Sequence, residues 1–427
     1  MRTTSPLSPA SVAIDVPGHR AGTAAYRRML LGLGAAGIAT FAQLYAPQGL
    51  LPSLARGLAV DASRAALAVS LATLGVALAV VPWSVLSDRI GRLRAMRIAI
   101  STAAVGGLLV ALSPTADALL VLRFIEGLAL GGLPALAMTY LHDEVDPRHT
   151  AAAAAAYISG TTLGGACGRL VAGPLADLVG WRLALASVAT LCLVAAAAFL
   201  RLMPPARRHA PARPSIAQVV ANVRRSLSDP LLLALYLQPM LIMGGFVAVY
   251  NYLGFRLESP AFGLPAVTAS LIFAAYGAGT VSSRLVGRWV PRYGRLPVLT
   301  AGTAAMIIGV LLTLSSSLIM VVSGLLVLTA GTFMAHATAS AWVGHRAGTG
   351  RAQATALYNV ALYTGSAMFG WLVGLAWVRS GWPATAGTVA GLAALALVAG
   401  LIGDWADRRG GRSARGQIGE GADRRRS

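Results

Sequence analysis

The chain has 427 residues, 56% of them hydrophobic and only 12% charged, with a formal net charge of +20. A soluble globular chain carries about 25% charged residues, and the apolar residues here recur in runs of about 20, each long enough to cross a bilayer as a helix. A soluble domain is thereby excluded, and the lack of ~10-residue alternating segments excludes a β-barrel. The expectation is an all-α polytopic membrane protein, because helices pair every backbone N–H and C=O internally in lipid.

Residues 1–27 read as a polar N-terminal tail with no separate signal segment, so the first apolar run is expected to stay as an anchor. Spans are predicted at 28–50, 62–86, 94–113, 116–139, 151–175 and 182–202. A Pro-, Arg- and Ala-rich linker follows at 203–229. Further spans are predicted at 230–254, 265–288, 296–315, 317–342, 352–377 and 384–403, with a basic tail at 404–427 that reads as disordered. These are twelve transmembrane helices in two six-helix bundles, 28–202 and 230–403. Within the linker, "PSIAQVVANVRRSL" fits either an amphipathic surface helix or a solvated connection.

All 35 basic residues are arginine, and five of them (Arg56, Arg64, Arg182, Arg256 and Arg379) fall on loops after odd-numbered spans. Two, Arg123 and Arg169, fall deep inside spans, and the rest lie at or beyond span ends on the other side with the termini. That bias places both termini in the cytoplasm of a bacterial inner membrane and argues against nucleic acid as a partner. Cys167 and Cys192 lie inside apolar runs as small core residues. No P-loop, metal-spaced Cys/His cluster or nucleophile elbow is present. The expectation is therefore no enzyme, no metal and no cofactor, with lipid, protons and a small molecule as partners of a monomer.

The first span holds the polar residues Gln43, Tyr45 and Gln48. In the fourth, Arg123 and Glu126 lie three apart on one helix face. By helical rise, Arg123 and Arg169 both lie roughly 10 Å inside the far boundary, so the three charges are expected to share one internal site. Two readings of Arg123 and Glu126 stand: a static bridge that fixes packing, or a proton carrier at Glu126 held ionised by its arginine neighbours. Arg169 either holds an anionic substrate group or satisfies backbone carbonyls. Gly160, Gly164 and Gly168 make a smooth stripe on the fifth span, expected to meet Gly277 and Gly279 of the eighth, as plain packing or as a sliding seal. The seventh span carries Tyr236, Gln238, Tyr250, Asn251 and Tyr252. Tyr276 is a further cavity candidate. His336 reads as a hydrogen-bonded interior histidine or as a proton-coupling group.

The chain repeats itself. "SDRIGRL" at 87–93 returns as "VPRYGRL" at 290–296, a shift of 203 residues, and the Gly-Trp pair at 180–181 returns at 381–382. Both copies of the first motif follow the second span of a half, which implies two similar halves with the substrate site between them.

These residues resemble the major facilitator superfamily, and within it the drug:proton antiporter and arabinose-efflux-like branch. Ser84–Arg94 resembles its loop signature G-x-x-x-D-R-x-G-R-[RK], with Asp88, Arg89, Gly91 and Arg92 matching, Ser84 in place of the usual glycine and Leu93 in place of the base. In the second copy Gly287, Arg292, Gly294 and Arg295 match, and Pro291 replaces the acid. "RFIEG" at 123–127 resembles the fourth-span signature, and "SGTTLGGACGRLVAGP" at 159–174 the glycine-rich fifth-span signature of antiporters. The resemblance covers about 28–403. It implies two pseudo-symmetric bundles and alternating access, with proton-coupled efflux as the favoured mode and symport of a sugar or organic anion as the runner-up. A non-transporting sensor or scaffold is the reading from another class. The resemblance also implies a gating latch: Asp88 against the start of the eleventh span, and Arg89 and Arg92 on acids such as Asp143, Glu144 and Asp146, around a sharp turn at Gly91. The plain alternative is that these arginines only set topology.

Overall fold

The computed structural model describes residues 18–206 and 216–423; of the tails and linker, 1–17, 207–215 and 424–427 lie outside the described residues. α1 (Ala24–Tyr45) begins at Thr23, whose hydroxyl accepts from the Tyr26 N–H, and ends in a 3₁₀ segment, Ala46–Leu50, ahead of α2 (Leu51–Leu58). The first half continues with α3 (Ala62–Ile90), α4 (Arg92–Ala111), α5 (Ala116–Leu130), α6 (Gly132–Glu144) and α7 (Thr150–Leu202). A linker helix, α8 (Ile216–Ser228), leads to α9 (Pro230–Glu258) and α10 (Ala266–Ser270). A second 3₁₀ segment, Leu271–Ala275, precedes α11 (Tyr276–Tyr293), α12 (Arg295–Leu312), α13 (Leu318–Arg346) and α14 (Arg351–Asp423).

Ten stretches of the described residues are long and apolar enough to cross a membrane. Two of them, Thr150–Leu202 and Arg351–Arg409, run to 53 and 59 residues, where about 20 suffice for one crossing. Each is broken near its middle, at Gly180 (φ 82°) and at Ser380–Gly381 (φ −144° and 66°). The two copies of the sequence motif share a backbone shape as well. Gly91 and Gly294 stand at φ 89° and 88° between consecutive helices, a conformation open to glycine and costing a side-chain-bearing residue about 1–3 kcal/mol.

Both described chain ends lie at one end of the molecule, the terminal end. There the His19 N–H donates to the Glu144 carbonyl (2.8 Å) and the Asp146 N–H to the His19 carbonyl (3.1 Å). Arg346 holds both Asp229 and Asp407 at 2.8 Å. The tail expected to be disordered from 404 is instead helix through Asp423. No proline interrupts it, and an Asp404–Arg408 pair at i,i+4 (2.6 Å) supports its first turns. The linker segment is also a helix: α8 lies on the start of α14, where the Asn222 amide donates to Gln353 Oε1 at 3.4 Å.

At the opposite, distal end the halves meet. Arg56 pairs with Glu258 at 2.7 Å, and the Val267 N–H donates to the Asp177 carboxylate at 3.2 Å. Deeper in, α3 lies along α14, with Gly370 beside Ser70 and Gly374 beside Ser63 and Tyr252. Toward the terminal end α3 is uncovered, with Val81 61% and Val85 51% exposed.

The glycine stripe of α7 packs on α1, which corrects the expected partner. A Cβ at Gly160, Gly164 or Gly168 would stand 2.3–2.5 Å from the Gly34, Ile38 or Ala42 carbonyl oxygen, and only hydrogen fits there. Gly277 has open space around it, and Gly279 packs on Phe333 of α13. The fifth-span glycines therefore fasten two helices of the same half.

Candidate functional site

Both 3₁₀ segments lie against α7, and the residue they surround is Arg169. Arg169 is 2% exposed. Its Nε donates to Gln48 Oε1 and its Nη1 to the Gly165 carbonyl, both at 2.7 Å. Its guanidinium lies 4.1 Å from the Tyr45 ring centroid and 4.5 Å from that of Tyr276, a cation held between two aromatic faces. Tyr45 ends α1 and Tyr276 begins α11, so each ring sits where a regular helix meets a 3₁₀ turn. Among the described residues, no ion pair of Arg169 with a carboxylate is found.

Gln48 carries the network across to the second half. Its amide donates to Asn251 Oδ1 at 2.7 Å, and the Asn251 amide donates to the Gly370 carbonyl at 3.1 Å. Gln48 and Asn251 are 203 residues apart, which is the period of the sequence repeat. The bond therefore joins positions that the sequence repeat makes equivalent. Tyr250, beside Asn251, donates to or accepts from Thr329 Oγ1 at 2.8 Å, and its ring centroid lies 4.8 Å from that of Tyr276 and 5.4 Å from that of Phe273. Sequence reasoning reached Arg169, Tyr45, Gln48, Tyr250, Asn251 and Tyr276. It missed Phe273 and Thr329, which carry no local motif.

Arg123 and Glu126 form a second cluster, separate from the first. The expected single site of three charges is corrected here: the partners of Arg169 lie on α1, α7 and the second half, whereas Arg123 pairs with Glu126 on its own helix. Both are buried, at 1% and 2% exposed. Pro47 explains what else Arg123 does. It has no N–H, so the Gln43 carbonyl lacks its helical donor four residues on. Arg123 supplies it, with Nη1 on the Gln43 carbonyl (3.2 Å) and Nη2 on that of Leu44 (2.6 Å). Its Nε holds the Ala68 carbonyl of α3 at 2.8 Å. The Gln43 amide donates to Glu126 and to the Ala103 carbonyl. A cavity of about 10 Å³ adjoins Glu126, Arg123 and Gln43, enough for about one water. The clusters are thus joined through α1: one grips the break at Gln43–Leu44, and the other hangs from Tyr45 and Gln48 on the same break.

The remaining candidates are spread out. His336 Nδ1 bonds the Tyr358 hydroxyl at 2.9 Å. The Gln238 amide donates to the Ala396 carbonyl at 2.6 Å, so it joins α9 to α14 rather than to Arg169. Tyr236 is buried two turns into α9. At the terminal end Arg92 pairs with Asp143, one of the acids expected for it, and reaches the Thr139 carbonyl at 3.5 Å. Asp88 and Arg89 are exposed, and Glu144 is buried under the clasp of His19. Asp146 takes another arginine, Arg20, at 3.2 Å.

The Major Facilitator Superfamily model matches residues 31–289. The chain is 35% identical over 378 residues to the MFS-type transporter YybF of Bacillus subtilis, covering 88% of this chain and 94% of that protein. It is also 35% identical over 379 residues to the inner membrane transport protein YnfM of Escherichia coli, covering 89% and 91%. Among solved structures, the fold is similar to a bacterial homolog of the human lysosomal transporter Spinster in an inward-facing conformation, with a TM-score of 0.68 at 15% identity over 90% of this chain and 96% of that one. A D-xylose–proton symporter superposes with a TM-score of 0.65 at 18% identity, covering 88% and 96%. A membrane-spanning helical chain with a repeated half, whose equivalent positions meet at a buried polar network, thus has full-length relatives named as transporters: it belongs to the Major Facilitator Superfamily and is a multi-pass secondary transporter of that type.

Proposed function

We propose that this transporter exports a small molecule in exchange for protons, by alternating access, as a member of the drug:proton antiporter and arabinose-efflux-like branch. In this reading the breaks at Gly180 and Gly381 divide the two longest helices, giving twelve spans in two six-helix bundles with the terminal end in the cytoplasm of a bacterial inner membrane. The distal contacts of Arg56, Asp177, Glu258 and Val267 then close the outer side, and the arrangement is inward-facing. The substrate sits against Arg169, Tyr45, Gln48, Asn251, Tyr250 and Tyr276. The proton gradient is the energy source, and the monomer is the working unit.

One observation carries the coupling: Glu126, the only acidic residue of the chain far from a span end, is tied through Arg123 to the break in α1 that bears Tyr45 and Gln48. Protonating Glu126 removes the charge that holds Arg123. The grip of Arg123 on the Gln43 and Leu44 carbonyls then relaxes, the break shifts, and the bond from Gln48 to Arg169 weakens. Outward release of substrate and inward release of the proton become alternating states of one hinge.

A second reading is uptake of an organic anion by proton symport. It draws on Arg169, a buried cation that is not neutralised by a carboxylate among the described residues and that a substrate carboxylate would compensate.

Proteoliposomes with an imposed pH gradient and a trapped pH dye test both. A panel of lipophilic cations, sugars and aromatic or aliphatic carboxylates is added from either side. Antiport predicts that a substrate loaded on the terminal side dissipates a gradient acid on the distal side. Carboxylate-driven proton entry that fails in Arg169→Gln favours the second reading instead. A gradient that no compound disturbs, with binding established by a raised melting midpoint, refutes proton coupling.

A further inference from the structure

A groove of about 480 Å³ opens at the distal end between α3 and α5 of the first half and α14 of the second. Its lining changes character with depth in the same direction on all three helices. Asp61 and Arg64 begin α3, Asp117 begins α5, and Arg379 lies at the distal end of its α14 segment, just before the break. Leu67, Leu120 and Trp371 lie deeper, Trp371 eight residues below Arg379, or about 12 Å by helical rise. Trp371 is 36% exposed, Leu375 41% and Val378 55%. The charged rim and the apolar wall therefore fall at headgroup and acyl-chain depth of one leaflet.

The rim is balanced, with two guanidinium groups and two carboxylates. Asp61 accepts from the Arg64 N–H at 2.8 Å, and Arg64 Nη2 meets Asp117 Oδ1 at 2.6 Å. The Asp117 side chain is still 77% exposed, and its second oxygen is open to a donor. Arg379 is exposed at the same rim.

We propose that this groove binds a zwitterionic phospholipid with a primary amine headgroup, of the phosphatidylethanolamine class, taken from the distal leaflet. Arg379, with Arg64 beside it, holds the phosphate. Asp117 and Asp61 accept from the ammonium. One acyl chain lies along Leu375, Trp371 and Leu120. Charge-assisted bonds are the stronger ones, and phosphatidylglycerol offers the same phosphate but only neutral hydroxyls where an ammonium would donate to the two carboxylates. A choline headgroup has no N–H to give them. Because the walls come from both halves, the lipid bridges them in the distally closed arrangement. The site is independent of the Arg169 cluster and of the identity of the transported molecule.

The test is competition among lipids on the purified full-length protein, read by native mass spectrometry. Equimolar phosphatidylethanolamine, phosphatidylcholine and phosphatidylglycerol with matched acyl chains are offered in detergent. The expected result is one preferentially retained ethanolamine lipid, favoured about threefold or more over each competitor. Arg379→Gln should lower its retention, and Asp117→Asn should bring ethanolamine and choline lipids level. Leu375→Trp, which fills the wall, should lower all three together. Equal retention of the three lipids by the unaltered protein overturns the proposal whether or not the variants fold. A preference that survives Arg379→Gln and Asp117→Asn in monodisperse protein overturns its location.

Discussion

Replacing Arg123 and replacing Glu126 should have very different consequences, although the two side chains form one ion pair. Arg123 donates to three backbone carbonyls, at 2.6, 2.8 and 3.2 Å, besides its carboxylate partner. Arg123→Leu strands the Gln43 and Leu44 carbonyls at the break, while the Ala68 carbonyl keeps its helical donor inside α3, and each buried unsatisfied acceptor costs about 1–3 kcal/mol. It also leaves the Glu126 carboxylate in the protein interior without its cation, and breaking a buried pair costs about 3–5 kcal/mol. Those losses together reach the whole stability of an ordinary domain, about 5–15 kcal/mol, so Arg123→Leu should not accumulate as monodisperse protein. Glu126→Gln removes only the charge. Arg123 still has its three carbonyls within reach and the Gln side-chain oxygen as an acceptor, so its hold on the break is loosened, as in the protonated state proposed for Glu126, rather than lost. A cost near the lower end of the buried-pair range, about 3 kcal/mol, is expected, with folded protein at a reduced melting midpoint. In proteoliposomes Glu126→Gln should still exchange labelled for unlabelled substrate and should fail to concentrate substrate against a gradient. If Arg123→Leu proves as stable as Glu126→Gln, Arg123 is not the splint of the α1 break. If Glu126→Gln still drives uphill transport from a pH gradient, the proton is carried elsewhere.

Three further outcomes are expected. Asp88→Asn should reduce the transport rate while expression and membrane insertion persist, checked by uptake normalised to protein in the membrane; an unchanged rate would reduce the loop arginines to a topology signal. Glu258→Gln should loosen the distal contact with Arg56, a part-exposed pair worth about 0.2–1 kcal/mol. That corresponds to a population shift of up to about fivefold, seen as faster labelling of a cysteine placed at Pro52, which packs 3.5 Å from where a Cβ on Gly254 would lie. The Arg148 N–H, which donates to Asp146 at 3.0 Å, and the Arg20 guanidinium hold the Asp146 carboxyl below the usual carboxylate range. A depressed carboxylate stabilises the fold above its unfolded value and loses that contribution as pH falls through its folded one. The clasp of residues 18–20 on the α6–α7 loop should therefore hold at neutral pH and weaken below about pH 4, read as faster amide exchange at His19.

What the sequence made legible was whatever depends on a periodic or repeated signal. The apolar runs announced the helices, the 203-residue repeat announced the halves, and Gly91 with Gly294 announced two identical turns. Glu126 and Arg169 stood out because charge is costly at membrane depth. The partners of those charges were not legible, because which helices touch is decided by packing across the whole bundle. The glycine stripe shows the limit: its four-residue spacing reveals a smooth face, and any close helix satisfies it, so α1 took the place expected of the eighth span. Arg123 shows it again. The spacing of Arg123 and Glu126 predicts a bridge, but the larger part of the arginine's work is done on α1, eighty residues away in sequence. The clue was present in "FAQLYAPQGLLP", where Pro47 removes the donor that the Gln43 carbonyl needs. A broken helix in lipid must find a substitute donor in another helix. In this chain the substitute is a cation paired with Glu126, and the break it supports carries Gln48, which meets Asn251, its counterpart in the sequence repeat. On the proposed function, the irregular turn is the point at which a proton on one helix gains leverage over the junction of the two halves.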